Sequence, residues 1–159
     1  MKAEDYIQRL TDISSKKLAL LDEILLFTRS QNEVIKTQRF DEMDQLLKER
    51  QKRMDAVDKL DEQFVVYSTR LKELLSLSSF EELPKHNLPG TAELKNVVDS
   101  ISQYIKKTKD LDDENTALVK AEMKATQGQI KNANNHKLVT GAYYPNQNSG
   151  QSYFFDKKK

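Results

Sequence analysis

The chain has 159 residues, 37% apolar and 32% charged, a length ordinary for one domain and a balance typical of long helices whose surface is large for their core. Its 26 basic and 25 acidic residues nearly cancel, which removes the field that nonspecific binding to nucleic acid or anionic membrane requires. The absence of cysteine excludes a disulfide framework and thiolate metal sites, and fits a reducing compartment.

The first 83 residues contain neither glycine nor proline, and apolar side chains recur through them every three or four positions, the period of amphipathic helix. The N-terminus, Met1-Lys2-Ala3-Glu4-Asp5, has no signal-peptide core. No apolar run approaches the roughly 18 residues of a membrane span. A soluble, cytoplasmic protein is expected.

A first helix is expected over about 3–36. Steps of four and three from Tyr6 reach Leu10, Ile13, Lys17, Leu20, Ile24, Phe27, Gln31 and Val34, a heptad-like seam. Leu18, Leu21 and Leu25 widen it, which predicts contact with more than one neighbouring helix. Lys17 is expected to carry its charge to water along an apolar stem. A second helix is expected over about 38–77, with Thr37 as its cap and Asp41 and Glu42 at the positive end of its dipole. One continuous bent helix is the alternative. From Phe40 the stepping continues through Met43, Leu47, Met54, Val57, Phe64, Leu71 and Leu75, while Asp44 with Lys48, Glu49 with Arg53 and Asp55 with Lys59 form acid-first pairs on the outer face.

Residues 76 to 92 interrupt the pattern. Ser78 and Ser79, followed by Glu81 and Glu82, are read as capping a single helical turn that carries Phe80 and Leu83 and stops at Pro84. Leu88-Pro89-Gly90-Thr91 is read as a turn whose threonine caps a third helix over about 91–130. Its stripe runs through Leu94, Val97, Val98, Ile101, Tyr104, Ile105, Leu111, Leu118, Val119 and Met123 towards Ile130. The expected fold is therefore all-α, an elongated antiparallel bundle of three long helices, each about 50 to 60 Å. Residues 131–159 are read as a flexible polar tail bearing five aromatics, among them Tyr143 and Tyr144.

Little in this pattern suggests catalysis. His86 and His136 stand alone without a metal-ligand spacing, and no glycine-rich phosphate loop is present. The acidic run Asp110, Asp112, Asp113 and Glu114 lacks the glycine and later glutamate of a calcium loop, and reads as a solvated helix face. Lys106, Lys107 and Lys109 have acidic neighbours that argue against nucleic acid. No cofactor, metal or catalytic residue is assigned. Asn115 falls on the apolar stripe, either fixing register or offering a hydrogen bond to a partner. If the later part of the third helix stays uncovered, its stripe suits an amphipathic helix from another protein; the alternative is that the hairpin or a second copy covers it.

The order and spacing of four segments resemble the FlgN family of flagellar export chaperones. They are Leu18-Ala19-Leu20-Leu21-Asp22-Glu23-Ile24-Leu25-Leu26, the stretch from Phe40 to Arg50, Glu114-Asn115-Thr116-Ala117-Leu118-Val119, and the tail with Tyr143-Tyr144, Gly150-Gln151-Ser152 and Phe155-Asp156-Lys157-Lys158. The resemblance implies a cytoplasmic chaperone that binds the C-terminal helical region of the hook-filament junction proteins FlgK and FlgL, prevents their premature assembly and delivers them to the export gate protein FlhA. Carried onto this sequence, it implies a cargo surface at Leu111, Asn115, Leu118, Val119, Met123 and Ile130, and gate docking at Tyr143 and Tyr144. A monomer or weak homodimer is expected. The competing expectation is a structural coiled-coil module that buries the same stripes against its own copy.

Overall fold

The computed structural model describes residues 1–127, and every regular element in them is helical. Helix α1 spans Ala3–Lys36, α2 spans Met43–Leu75 and α3 spans Thr91–Ala125; short 3-10 segments at Phe40–Glu42 and Phe80–His86 lie in the two connections. With 34, 33 and 35 residues, each rod is about 50 Å long.

Helix α1 is the shared element. It lies against both α2 and α3, which approach each other little. This explains the wide stripe of α1, where Ile7, Leu10, Ile13, Leu21, Ile24, Leu25, Val34 and Ile35 are all buried. Three apolar clusters succeed one another along it. Ile7 and Leu10 pack with Leu71, Leu83 and Leu94, Leu21 and Ile24 with Met54, Val57, Ile101 and Ile105, and Val34 and Ile35 with Phe40, Met43 and Val119. Residue numbers thus descend in α2 and ascend in α3 as they ascend in α1.

The ends of α1 and α2 use the same device. At Gln38 (φ 57°) and Ser76 (φ 53°) the backbone turns left-handed. In the first, the Arg39 N–H donates to the Val34 carbonyl and the Gln38 N–H to that of Ile35; in the second, the Leu77 N–H donates to Lys72 and the Ser76 N–H to Glu73. Both are Schellman ends without glycine. Helices α1 and α2 are therefore separate, and Thr37 serves the end of α1 rather than the start of α2: its hydroxyl donates to the Glu33 carbonyl, and no side chain caps α2.

In the second connection Ser79 Oγ accepts from the Glu81 N–H, and the Ser78 hydroxyl and N–H both donate to Glu82. Those bonds from Ser78, the side-chain one foremost, hold the Glu82 carboxyl below its usual range. The turn does not stop at Pro84 but continues to His86, because the fixed φ of proline is compatible with helical backbone and only its own donor is lost. Nor does Thr91 cap α3: its hydroxyl donates to the Leu88 carbonyl, and Gly90 occupies the cap with φ 86°. A Cβ there would adopt a strained conformation and lie 3.3 Å from Ile7 Cγ2, so the site requires glycine.

Candidate functional site

Helices α2 and α3 approach each other little, and an apolar groove remains between them. It encloses about 490 Å3. Ile13, Ser14 and Lys17 of α1 contribute to its lining; Asp61, Phe64 and Val65 of α2 face Leu94, Lys95, Val98 and Ile101 of α3; Phe80, Leu83 and Pro84 bring the 3-10 turn to it. The rim is exposed at Val65, Glu81, Pro84 and Lys95, while Ile13, Leu94 and Ile101 are buried. A volume of this size accepts the side chains along one face of a guest. Helix periodicity built it: Leu94, Val98 and Ile101 share one face of α3, and Asp61, Phe64 and Val65 cover one turn of α2.

Two buried ionisable groups line this apolar space, while Glu81 and Lys95 stand at its exposed rim. Lys17 Nζ lies 2.7 Å from Asp61 Oδ1, and the two side chains are only 9% and 7% exposed. Lys17 therefore does not extend to water as its long stem allows, because a carboxylate on α2 meets it inside. The second oxygen, Asp61 Oδ2, is buried and has no hydrogen-bond partner among the described residues.

A second polar brace lies further along. Arg50 of α2 makes a bidentate pair with Asp112 of α3, Nη1 to Oδ1 at 2.8 Å and Nη2 to Oδ2 at 2.6 Å, and Nη1 also donates to Gln31 Oε1 of α1. The acidic run is thus not one solvated face: Asp110, Asp113 and Glu114 are exposed while Asp112 is buried. Burial raises the Asp112 carboxyl above its usual range, against the charge and hydrogen bonds of Arg50, which lower it.

The cargo surface expected from the sequence is only partly available. Asn115 is fully buried, donates to the Thr28 carbonyl and accepts from Asn32 Nδ2; it fixes the register of α3 against α1. Val119 is buried in the cluster with Val34 and Met43. Both face α1, so a guest cannot reach them while that contact stands. Leu111 and Leu118 are half-buried, and Met123 is exposed. Ile130, Tyr143, Tyr144 and His136 lie outside the described residues. His86 is exposed at the end of the 3-10 turn.

Apolar periodicity misses the groove because it passes over Asp61. Stepping along α2 goes from Leu47 to Met54, from Val57 to Phe64 and from Phe64 to Leu71; the positions it skips are Arg50, Asp61 and Ser68, all buried. Ionisable residues on a seam are the available signal.

The lining of the groove is mostly apolar. Its surface suits binding. Among the described residues no group of three or more His, Cys, Asp or Glu is placed to hold a metal ion, and no helix is long and apolar enough to cross a membrane.

Comparison with curated proteins and with solved structures finds no match. Comparison with protein families matches residues 1–150 to the family described as FlgN protein. That match covers the three helices, both connections and most of the C-terminal stretch beyond α3, and places the chain in the FlgN family, a family of flagellar export chaperones.

Proposed function

We propose that this chain is a cytoplasmic chaperone for the junction proteins FlgK and FlgL, built as an antiparallel bundle of three helices over about 1–130 with a tail over 131–159. It binds the C-terminal helical region of its cargo, keeps that region from assembling early and delivers it to FlhA, with Tyr143 and Tyr144 contacting the gate. Family membership supports the class of function. The observation that carries the binding mode is the apolar groove between α2 and α3, large enough for the side chains of an amphipathic segment.

The docking face assigned from the later part of α3 moves accordingly. Asn115 and Val119 serve the fold, Leu111, Leu118 and Met123 form a flanking strip, and the groove around Phe64, Val65, Val98 and Ile101 takes the cargo. Burying apolar surface there contributes about 25 cal/mol per Å2, offset by ordering the guest. A net affinity near micromolar corresponds to roughly −8 kcal/mol, which allows both protection and release.

The test is co-purification of FlgK and FlgL with Val65→Asp and Val98→Asp variants, with helicity followed by circular dichroism. Retained helicity with lost capture is expected. Unaltered capture by both variants removes the groove from consideration. The competing reading, a coiled-coil assembly module, draws on Leu26, Val66 and Leu74, large apolar side chains exposed on α1 and α2. Light scattering separates the two: a tight oligomer at all concentrations, in which these residues become protected, favours the module.

A further inference from the structure

We propose that the last segment of this chain, Tyr153-Phe154-Phe155 followed by Asp156 and three lysines, occupies the groove between α2 and α3 when no guest does. The contact itself is independent of the groove's role; its consequence, competition with cargo, rests on the reading of the groove as the cargo site.

The chain is long enough to return. Val98 lines the groove and Ala125 ends the same helix, so 27 residues at about 1.5 Å each put the exit from α3 about 40 Å from the groove. Phe154 stands 29 residues beyond Ala125. A chain of that length spans about 95 Å fully extended and about 30 Å on average as a coil. Such a coil presents its end at a site 40 Å away with an effective concentration of about 1 mM.

The chemistry of the groove selects the segment. Phe64 and Phe80 are part of its mostly apolar lining, and Val65 at its rim is 54% exposed. Phenylalanine suits such a surface because it buries a large ring with no polar group to satisfy, whereas the hydroxyls of Tyr143 and Tyr144 would need partners there. Phe154 and Phe155 are the only phenylalanines of the chain beyond Phe80.

Charge agrees in sign. Residues 129–159 carry five basic side chains and one acidic, against 21 basic and 24 acidic in residues 1–128. At the groove, Lys95 is already matched by Asp99 at 2.9 Å, and the 3-10 turn carries Glu81 and Glu82 against Lys85. Lys157, Lys158 and Lys159, directly after the aromatics, are therefore drawn to the turn that lines the groove.

The test uses the full chain. It has no cysteine, so a spin label at Ser152→Cys reports on that position alone. Two-dimensional NMR is expected to show the amides of Val65, Val98 and Ile101 broadened more strongly than those of Lys16 and Ala19, which are exposed on α1 at the same height. Tyr153→Ser/Phe154→Ser/Phe155→Ser in the labelled chain is expected to abolish that difference, with helicity checked by circular dichroism. At about 1 mM effective concentration, a segment that binds the groove with a Kd of about 0.1 mM weakens a competing guest about 10-fold. Calorimetry with purified FlgK and FlgL is therefore expected to show about 10-fold tighter binding to the unlabelled triple variant than to the parent.

Absence of preferential broadening, together with loss of capture in Val98→Asp, overturns the contact and leaves the groove to cargo. Broadening that survives the triple substitution, or that is lost in Tyr143→Ser/Tyr144→Ser, overturns the assignment to Phe154 and Phe155. Preferential broadening with unchanged cargo affinity upholds the contact and overturns the competition; if capture also survives Val98→Asp, the groove is not the cargo site.

Discussion

Replacing Arg50 by methionine removes one half of a buried ion pair and leaves the other half behind. Both side chains are nearly enclosed, at 8% and 6% exposure, and the guanidinium supplies both short bonds to Asp112 as well as one to Gln31. Breaking such a pair from one side costs about 3 to 5 kcal/mol, because the survivor is a charge without compensation. For a chain of this size that corresponds to a fall in Tm of about 10 to 15 °C. The pH dependence arises from Asp112. Burial raises its carboxyl, and the charge and hydrogen bonds of Arg50 lower it, so removing Arg50 raises it further. A carboxyl raised in the folded state binds more protons there than in the unfolded chain; its favourable contribution is full below the ordinary carboxylate range and is lost as pH rises through the folded value. The Arg50→Met variant is therefore expected to be closest to wild type near pH 4 to 5 and furthest from it near pH 8. Urea unfolding at both pH values measures this. The Arg50→Met/Asp112→Leu variant is expected to regain most of the loss, as apolar replacement of a whole pair usually does. A loss under about 1 kcal/mol, or an equal loss at both pH values, refutes the reasoning.

Asn115→Ala is expected to cost about 1 to 3 kcal/mol by chemical denaturation, since the bonds to the Thr28 carbonyl and Asn32 vanish inside the α1–α3 contact. Gly90→Ala is expected to lose about 1 to 2 kcal/mol from its left-handed backbone, and a differential scanning trace with unchanged Tm contradicts the assignment. Ser76→Gly is expected to gain up to about 1 kcal/mol, because a glycine carries no Cβ penalty at this Schellman end; Leu77 N–H protection in hydrogen exchange should rise with it.

The helices are legible because their signal is repeated many times. The glycine- and proline-free run, the stripe from Leu10 to Val34 and the turn residues around Pro84 and Gly90 all point the same way. The breadth of the α1 stripe announces two neighbours, and α1 has them. Helix ends are harder to read. Gln38 and Ser76 adopt left-handed backbone that sequence preference assigns to glycine or asparagine, so Thr37 reads as a beginning when it belongs to an end. Periodicity also treats a polar residue on a seam as an interruption, yet in this chain such interruptions meet one another. Lys17 finds Asp61, and Arg50 finds Gln31 and Asp112. A single sequence gives each partner's face but not its height along the neighbouring rod, and a shift of one turn, about 5.4 Å, separates a pair from two buried charges.

These polar contacts account for why the groove is at one end. Three leucine-rich rods can slide past each other with little change in apolar burial, so packing alone specifies register weakly. The braces remove that freedom at chosen heights: Asn115 with Asn32 and Thr28 ties α3 to α1, Lys17 with Asp61 ties α2 to α1, and Arg50 with Asp112 ties α2 to α3 directly. The direct tie lies towards the end where Phe40, Met43 and Val119 close the core. Towards the 3-10 turn, Lys17 with Asp61 ties α2 to α1, and Phe80, Leu83 and Pro84 line the space between α2 and α3. A buried charge pair is a poor means of adding stability, since apolar side chains do as well. Its use beside this groove makes sense if the protein must hold two helices apart at a defined spacing while leaving apolar surface uncovered, a state that a purely apolar core would relieve by closing.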